Sequence, residues 1–176
     1  MIRRCQSSDE PGVCAVINDA ASAYKGVIPP DRWHEPYMPL EDLRAEIRRG
    51  IEFWGYEENG QLVGVMGLQR VKGATLIRHA YVKTEMQNRG IGGKLMRHLL
   101  KRANGKALVG TWKAASWAIR FYEKYGFQLV GEAEKNQLLA AYWQIPRRQI
   151  ETSVVLVSQR LCPEAEVDVA SGDAFA

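Results

Sequence analysis

The sequence predicts an α/β domain: a mixed, mostly antiparallel sheet covered by helices on both faces. Two observations carry this. Stretches with apolar residues at helical spacing interleave with β-rich runs in the order strand, two helices, three strands, helix, strand, helix, then one or two strands. The three consecutive strands are joined only by tight turns, which makes them antiparallel. Length sets the scale, since 176 residues with 46% hydrophobic and 25% charged content match one soluble domain with a sizeable core.

Taken in order, Ile2 to Cys5 reads as a first strand. Ser7, Ser8 and Asp9 then offer oxygens to the free amides of a helix whose apolar positions are Val13, Val16, Ile17, Ala20 and Tyr24, closed by Lys25 and Gly26. The next thirteen residues, VIPPDRWHEPYMP, hold four prolines. Proline fixes φ and removes a backbone donor, so this segment is a loop bearing aromatic side chains. Leu40, Leu43 and Ile47 mark a second helix, opened by Glu41 and Asp42 and ended by Arg48, Arg49 and Gly50. IEFWGYE and LVGVMGLQRV flank Asn59-Gly60 as a hairpin, and Lys72-Gly73 turns the chain into TLIRHAYV, residues 75–82.

Helical spacing returns at Ile91, Leu95, Met96, Leu99, Leu100 and Ala103, opposite Lys94, Arg97, His98, Lys101 and Arg102, and Asn104-Gly105 stops it. ALVGTW, residues 107–112, is a short buried strand. ASWAIRFYEKYG is a helix with Ala118, Phe121, Tyr122 and Tyr125 at helical spacing and Gly126 as its C-terminal cap. Residues 127–131 are extended, EAEKNQLLAAYWQIPRRQ has no clear period, and ETSVVLVS closes with a β-branched run. The folded domain is therefore expected over 1–160, with 161–176 a small-residue, acidic, flexible tail.

Composition excludes several classes. No run approaches the roughly 20 apolar residues of a membrane span, and the N-terminus lacks the apolar core of a secretory signal, so a cytoplasmic protein is expected. Cys5, Cys14 and Cys162 are widely spaced, with no C-x-x-C pair or histidine cluster, which predicts neither a metal site nor a disulfide framework. Positions 1–160 carry 24 basic against 16 acidic residues, a net of +8. That balance suits an anionic cofactor, an acidic substrate or nucleic acid. No helix-turn-helix, zinc or RNA-recognition motif accompanies it, so nucleic acid is not an expected partner.

The most informative stretch is QNRGIGGKL, residues 87–95. A magnesium-binding phosphate loop needs a hydroxyl after Gly93-Lys94 and finds Leu95; a dinucleotide fingerprint needs glycine at the same position. What remains is a strand end, a flexible turn and a helix N-terminus, a combination that binds phosphate through backbone amides, with Arg89 and Lys94 adding charge. A plain loop before a solvated basic helix has the same spacing.

Gln87-Asn88-Arg89-Gly90-Ile91-Gly92 resembles Q/R-x-x-G-x-G/A, the acetyl-coenzyme A motif of the GNAT superfamily of N-acetyltransferases, which lies between the fourth strand and third helix of that fold. Ala118 to Phe127 is similar to the family's A-x-x-x-Y-E-K-x-G-F block downstream. The resemblance spans residues 1–157 and implies a central, mostly antiparallel sheet of six to seven strands. Two positions depart from it. Ala115 stands where many members have asparagine, and residues 75–82 contain no carboxylate, although many members carry a glutamate base on that strand.

The resemblance implies acetyl transfer from acetyl-CoA to a primary amine by direct attack, without a metal. It places the cofactor on Tyr81, Val82, Gln87, Asn88, Arg89, Gly90, Ile91, Gly92, Gly93 and Lys94, and makes Tyr122 the acid that protonates the departing thiolate. His79 is a candidate base, because its ordinary pKa near 6.5 suits neutral pH; Glu57, Glu58, a water chain or an amine that arrives neutral are the alternatives. For the acceptor, the resemblance points to the loop between the first two helices, and Tyr24, Trp33, Tyr37 and Trp112 are the aromatic candidates. Small amines, amino acids and peptide amines stay open as acceptors, and a homodimer is consistent with many relatives. A coenzyme A sensor without turnover is the main rival.

Overall fold

The computed structural model describes residues 1–158, so the expected tail lies outside the described residues. Its strands are β1 (Ile2–Arg4), β2 (Glu52–Glu58), β3 (Gln61–Val71), β4 (Ala74–Val82), β5 (Lys106–Trp112), β6 (Phe127–Leu129) and β7 (Ser153–Ser158). They form one seven-stranded sheet in the order β1-β2-β3-β4-β5-β7-β6, antiparallel throughout except where β4 meets β5. The helices are α1 (Glu10–Ala21), α2 (Leu40–Arg48), α3 (Ile91–Leu100), α4 (Ser116–Lys124), α5 (Glu132–Tyr142) and α6 (Arg147–Thr152). None of them is long and apolar enough to cross a membrane.

Strand alternation splits the core into two layers. Val13, Val16 and Ile17 of α1 and Leu43 of α2 pack on Phe53 and Val65 on one face. Ile91, Leu95, Met96 and Leu99 of α3 pack on Met66, Leu68 and Ile77 on the other. Leu95, Met96 and Leu99 have no exposed surface. Each such side chain contributes roughly 1.5–3 kcal/mol of burial, so Leu95→Ala would cost about 2–5 kcal/mol and loosen α3.

Two local expectations give way to tertiary partners. Ser7 and Ser8 do not cap α1; they lie in a 3-10 turn, Ser7–Asp9. Asp9 accepts from the Gln6 amide at 2.7 Å and holds the Arg3 guanidinium at 2.7 and 2.9 Å, so the cation from β1 decides its direction. Tyr24 falls past the end of α1 in a second turn, Ser22–Tyr24. The stretch without a clear period forms α5 and α6. Only Lys135 and Leu139 of α5 are fully buried, and the Lys135 ammonium is satisfied by Glu132 at 2.5 Å and the Ile150 carbonyl at 3.1 Å.

The sheet opens in its middle. β4 and β5 pair from Ala74↔Lys106 to Ile77↔Val109 and then separate, although β4 runs on to Val82 and β5 to Trp112. A bulge in β4 accompanies this parting. Gly67 faces Arg78 and Val65 faces Tyr81, so one residue of β3 opposes two of β4, and His79 takes a left-handed φ of 50°. Bulges bend the strand that carries them, and this one re-aims the end of β4.

Candidate active site

The end of β4, the α3 N-terminus and one face of α4 border one cleft of about 690 Å³. Gly90, the N-cap of α3, has φ 76° and no side chain caps the helix there. The amides of Ile91, Gly92 and Gly93 therefore lack intrahelical acceptors and lie in the cleft wall, at the positive end of the helix dipole. Asn88 is left-handed as well, at φ 61°, and Gln87 Nε2 donates to the Val82 carbonyl at 3.1 Å, tying the loop to the strand before it.

The three glycines have different causes. A β-carbon on Gly90 would meet open space, so its requirement is the positive φ. On Gly92 it would lie 3.3 Å from the Phe121 ring, and on Gly93 1.9 Å from the Tyr125 hydroxyl. Those two are bare because the aromatic face of α4 lies directly on the first turn of α3.

Tyr122 projects from α4 on the adjacent face. It is 8% exposed, lines the same cleft, and its hydroxyl has no hydrogen-bond partner among the described residues. Burial, with Tyr24 close by, raises its pKa above that of an ordinary phenol. It is thus a neutral proton donor whose proton is unclaimed by the protein.

A family model described as an acetyltransferase (GNAT) domain matches residues 18–141. The chain belongs to the GNAT acetyltransferase family. Peptidyl-lysine N-acetyltransferase YiaC of Escherichia coli is 24% identical over 143 residues, covering 81% of this chain and 93% of that protein. Among solved structures, a GNAT acetyltransferase from Staphylococcus aureus superposes with a TM-score of 0.69 at 18% identity, covering 90% of this chain and 97% of its own. The PaiA N-acetyltransferase of Thermoplasma acidophilum, in complex with coenzyme A, superposes at 0.67 with 19% identity, covering 91% and 98%. At these identities the structures establish the shared fold.

In this acetyltransferase the cleft gathers most of the residues expected at the cofactor: Tyr81, Val82, Gln87, Asn88, Gly90, Ile91, Gly92 and Gly93, with Tyr24 and Tyr122. The two expected cations are not among its lining residues. Arg89 pairs with Glu58 at 3.3 Å, and Lys94 reaches the Tyr56 hydroxyl at 3.4 Å, because the face of α3 that carries it overlies β2.

His79 requires a correction. Its ring is absent from the cleft lining and turns to α2, where Nε2 stands 3.3 Å from the Glu46 carboxylate. For Glu46, burial opposes ionisation, but the His79 hydrogen bond and the Arg78 charge outweigh it and hold the pKa down at about 2. Burial lowers His79 below its ordinary 6.5 despite that carboxylate. Both directions describe one arrangement: an ionised Glu46, held by Arg78 at 3.2 Å, accepts a hydrogen bond from neutral His79. The nitrogen nearest Glu46 is then a donor and cannot act as a base.

The acceptor aromatics are divided. Trp117, Tyr24, Tyr37 and Trp33 form a row with successive ring centroids 5.8, 5.9 and 5.6 Å apart. Tyr24 borders the cleft at the α3 N-terminus, whereas Trp33 and Trp112 line a second cavity. Tyr24 is pushed up to about 12 by burial and by Tyr37, so it stays un-ionised. Of the other aromatics, Trp54 lies beneath Arg102, and Tyr142 and Trp143, at the end of α5, pack on the cluster of Ala74, Leu76 and Leu108. Reasoning from spacing missed Trp117 and read Phe121 and Tyr125 only as a packing face, although their i, i+4, i+8 stripe runs along the cleft. Among the described residues no cluster could hold a metal ion.

Proposed function

We propose that this N-acetyltransferase binds acetyl-CoA in the cleft between β4, α3 and α4 and passes its acetyl group directly to a primary amine, with Tyr122 as the acid. The observation that carries this is the convergence of an uncapped helix N-terminus, a stretch of β4 whose edge toward β5 is unpaired and an unpartnered phenol on one cleft. The amides of Ile91, Gly92 and Gly93 would hold a diphosphate, which needs acceptor-free donors and a backbone that can be approached. The edge of β4 from Arg78 to Val82 would bind an amide-bearing arm as an added strand.

Acetyl-CoA supplies the acyl group as an activated thioester. Tyr122 gives its proton to the leaving sulfur and recovers one from the attacking nitrogen, so the C–N bond forms as the C–S bond breaks and charge is conserved. At ordinary values a phenol near 10 and a thiol near 8.5 differ by about 1.5 units, roughly 2 kcal/mol uphill. Burial raises the phenol, but it disfavours the thiolate in the same cleft, so the step stays within reach of good positioning. With His79 turned to Glu46, the amine is taken to arrive neutral or to lose its proton to water.

Two measurements on the purified protein test this together: calorimetric titration with coenzyme A, and free-thiol release from acetyl-CoA in the presence of lysine amide. Tight binding with amine-dependent release is expected. Binding without release from any amine would make the chain a coenzyme A sensor, and the proposal would fail.

A further inference from the structure

Beyond the aromatic row lies a cavity of about 730 Å³ that shares no lining residue with the cofactor cleft. Its size falls within the roughly 300–1,000 Å³ of ligand sites. Three elements supply its walls: the proline loop after α1 (Ile28, Pro29, Pro30, Trp33), the end of β5 (Trp112), and α6 (Arg148). Tyr24, which borders the cleft, and Trp33, which lines the cavity, pack on the same small cluster of Ile28, Trp112 and Ala115. The cavity therefore adjoins the cleft at the end of β5, and no residue of α3 lines it.

Its charges are unequally used. Arg148 is held by Asp31 at 2.9 Å, and Glu151 by Arg147 at 3.1 Å. Lys113 also lines the cavity; its backbone amide is fixed to the Thr152 carbonyl at 2.8 Å, yet its ammonium makes no ion pair among the described residues. Glu132, the acidic group that feels it, is already occupied by Lys135 at 2.5 Å. The walls are thus apolar and aromatic, with one uncommitted cation at the rim.

Resting on the acetyl-transfer reading above, we propose that this cavity receives the body of the acceptor, and that the acceptor is a peptide amine with a bulky apolar residue and an acidic residue beside it. The apolar side chain fills the space between Trp33 and Trp112, and the carboxylate meets Lys113. A polybasic acceptor would put like charge against Lys113 and Arg148. Lys113 is accordingly a specificity-determining residue, not a catalytic one.

The test measures kcat/KM by thiol release with the full chain, acetyl-CoA and short peptides that share one free lysine amine and differ in two neighbours: Phe with Asp, Phe with Asn, Phe with Lys, and Ala with Asp. Phe/Asp should exceed Phe/Asn by about fivefold, the worth of an exposed ion pair, and exceed Phe/Lys by more. Lys113→Glu should reverse the Asp–Lys order while leaving coenzyme A affinity unchanged. Trp33→Ala should erase the Phe-over-Ala preference. An order that Lys113→Glu does not alter, or Phe/Lys as the best wild-type substrate, overturns the inference while acetyl transfer stands. No thiol release from any amine, lysine amide included, overturns both.

Discussion

Tyr122→Phe separates chemistry from packing at one atom. The side chain is 8% exposed and its hydroxyl makes no hydrogen bond among the described residues, but it faces the cleft rather than the sealed core, so the fold takes no contact from the oxygen. Its removal should leave stability within about 1 kcal/mol of wild type. For a chain of this size each kcal/mol is worth about 2–4 °C in Tm. Turnover should move the other way, by roughly 10²–10³, the usual worth of a positioned general acid. The assay is thiol release at saturating amine, run with acetyl-CoA and with an aryl thioester whose more acidic thiol leaves unaided. Wild type should greatly outpace the variant with acetyl-CoA and only slightly with the aryl thioester. An equal loss with both donors, or no loss with either, would refute Tyr122 as the acid. A Tm drop of many degrees would mean that the phenol belongs to the core.

Three other outcomes follow from the geometry. Gly93→Ala puts a β-carbon 1.9 Å from the Tyr125 hydroxyl and should cost about 1–3 kcal/mol with weakened coenzyme A binding; Tyr125→Ala in the same chain should restore the stability, and strict additivity in denaturant melts would count against the contact. Gly90→Ala meets no neighbour but must hold φ 76°, a strain of about 1 kcal/mol, so calorimetry should find coenzyme A binding weakened about fivefold; Gly90→Asn, which tolerates this φ, should lose less, and equal losses would point to side-chain bulk. Stability should fall in two stages on acidification. Below about 6.5 the unfolded His79 takes a proton that the folded one resists, and between about 4.5 and about 2 the unfolded Glu46 protonates while the folded carboxylate stays ionised. His79→Asn should shrink the first stage in a pH series of melts and leave the part due to His98, which burial also lowers; an unchanged first stage would remove His79 from it.

The elements that carry a period were legible in the sequence. The stripe Ile91, Leu95, Met96, Leu99 and the hairpin around Asn59-Gly60 lie where their spacing puts them, because burial on one face leaves a local imprint. α5 was not legible, since it packs few side chains and buries a lysine. The cofactor cleft could be read in part because loop and helix start are adjacent in sequence. Its aromatic wall could not, because a stripe along a cleft and a stripe along a core have the same spacing. His79 failed for a physical reason of another kind. Strand position says nothing about a carboxylate 33 residues earlier that captures the ring. Arg89 and Lys94 lie outside the cleft lining for a like reason, drawn to β2 by Glu58 and Tyr56.

The contact between bare α3 and aromatic α4 works as a gauge. On the proposed mechanism a flexible arm of fixed covalent length would span from its anchor to the reacting sulfur, and anchor and acid would sit on two helices locked together by Gly92 on Phe121 and Gly93 on Tyr125. That distance is set inside the fold and does not depend on the proline loop or on α6. A donor half so fixed can stay constant over evolutionary time while the acceptor half proposed for those two segments is free to diversify. Substitutions that retune what is acetylated should therefore accumulate on the far side of the aromatic row, and those at the gauge should be purged.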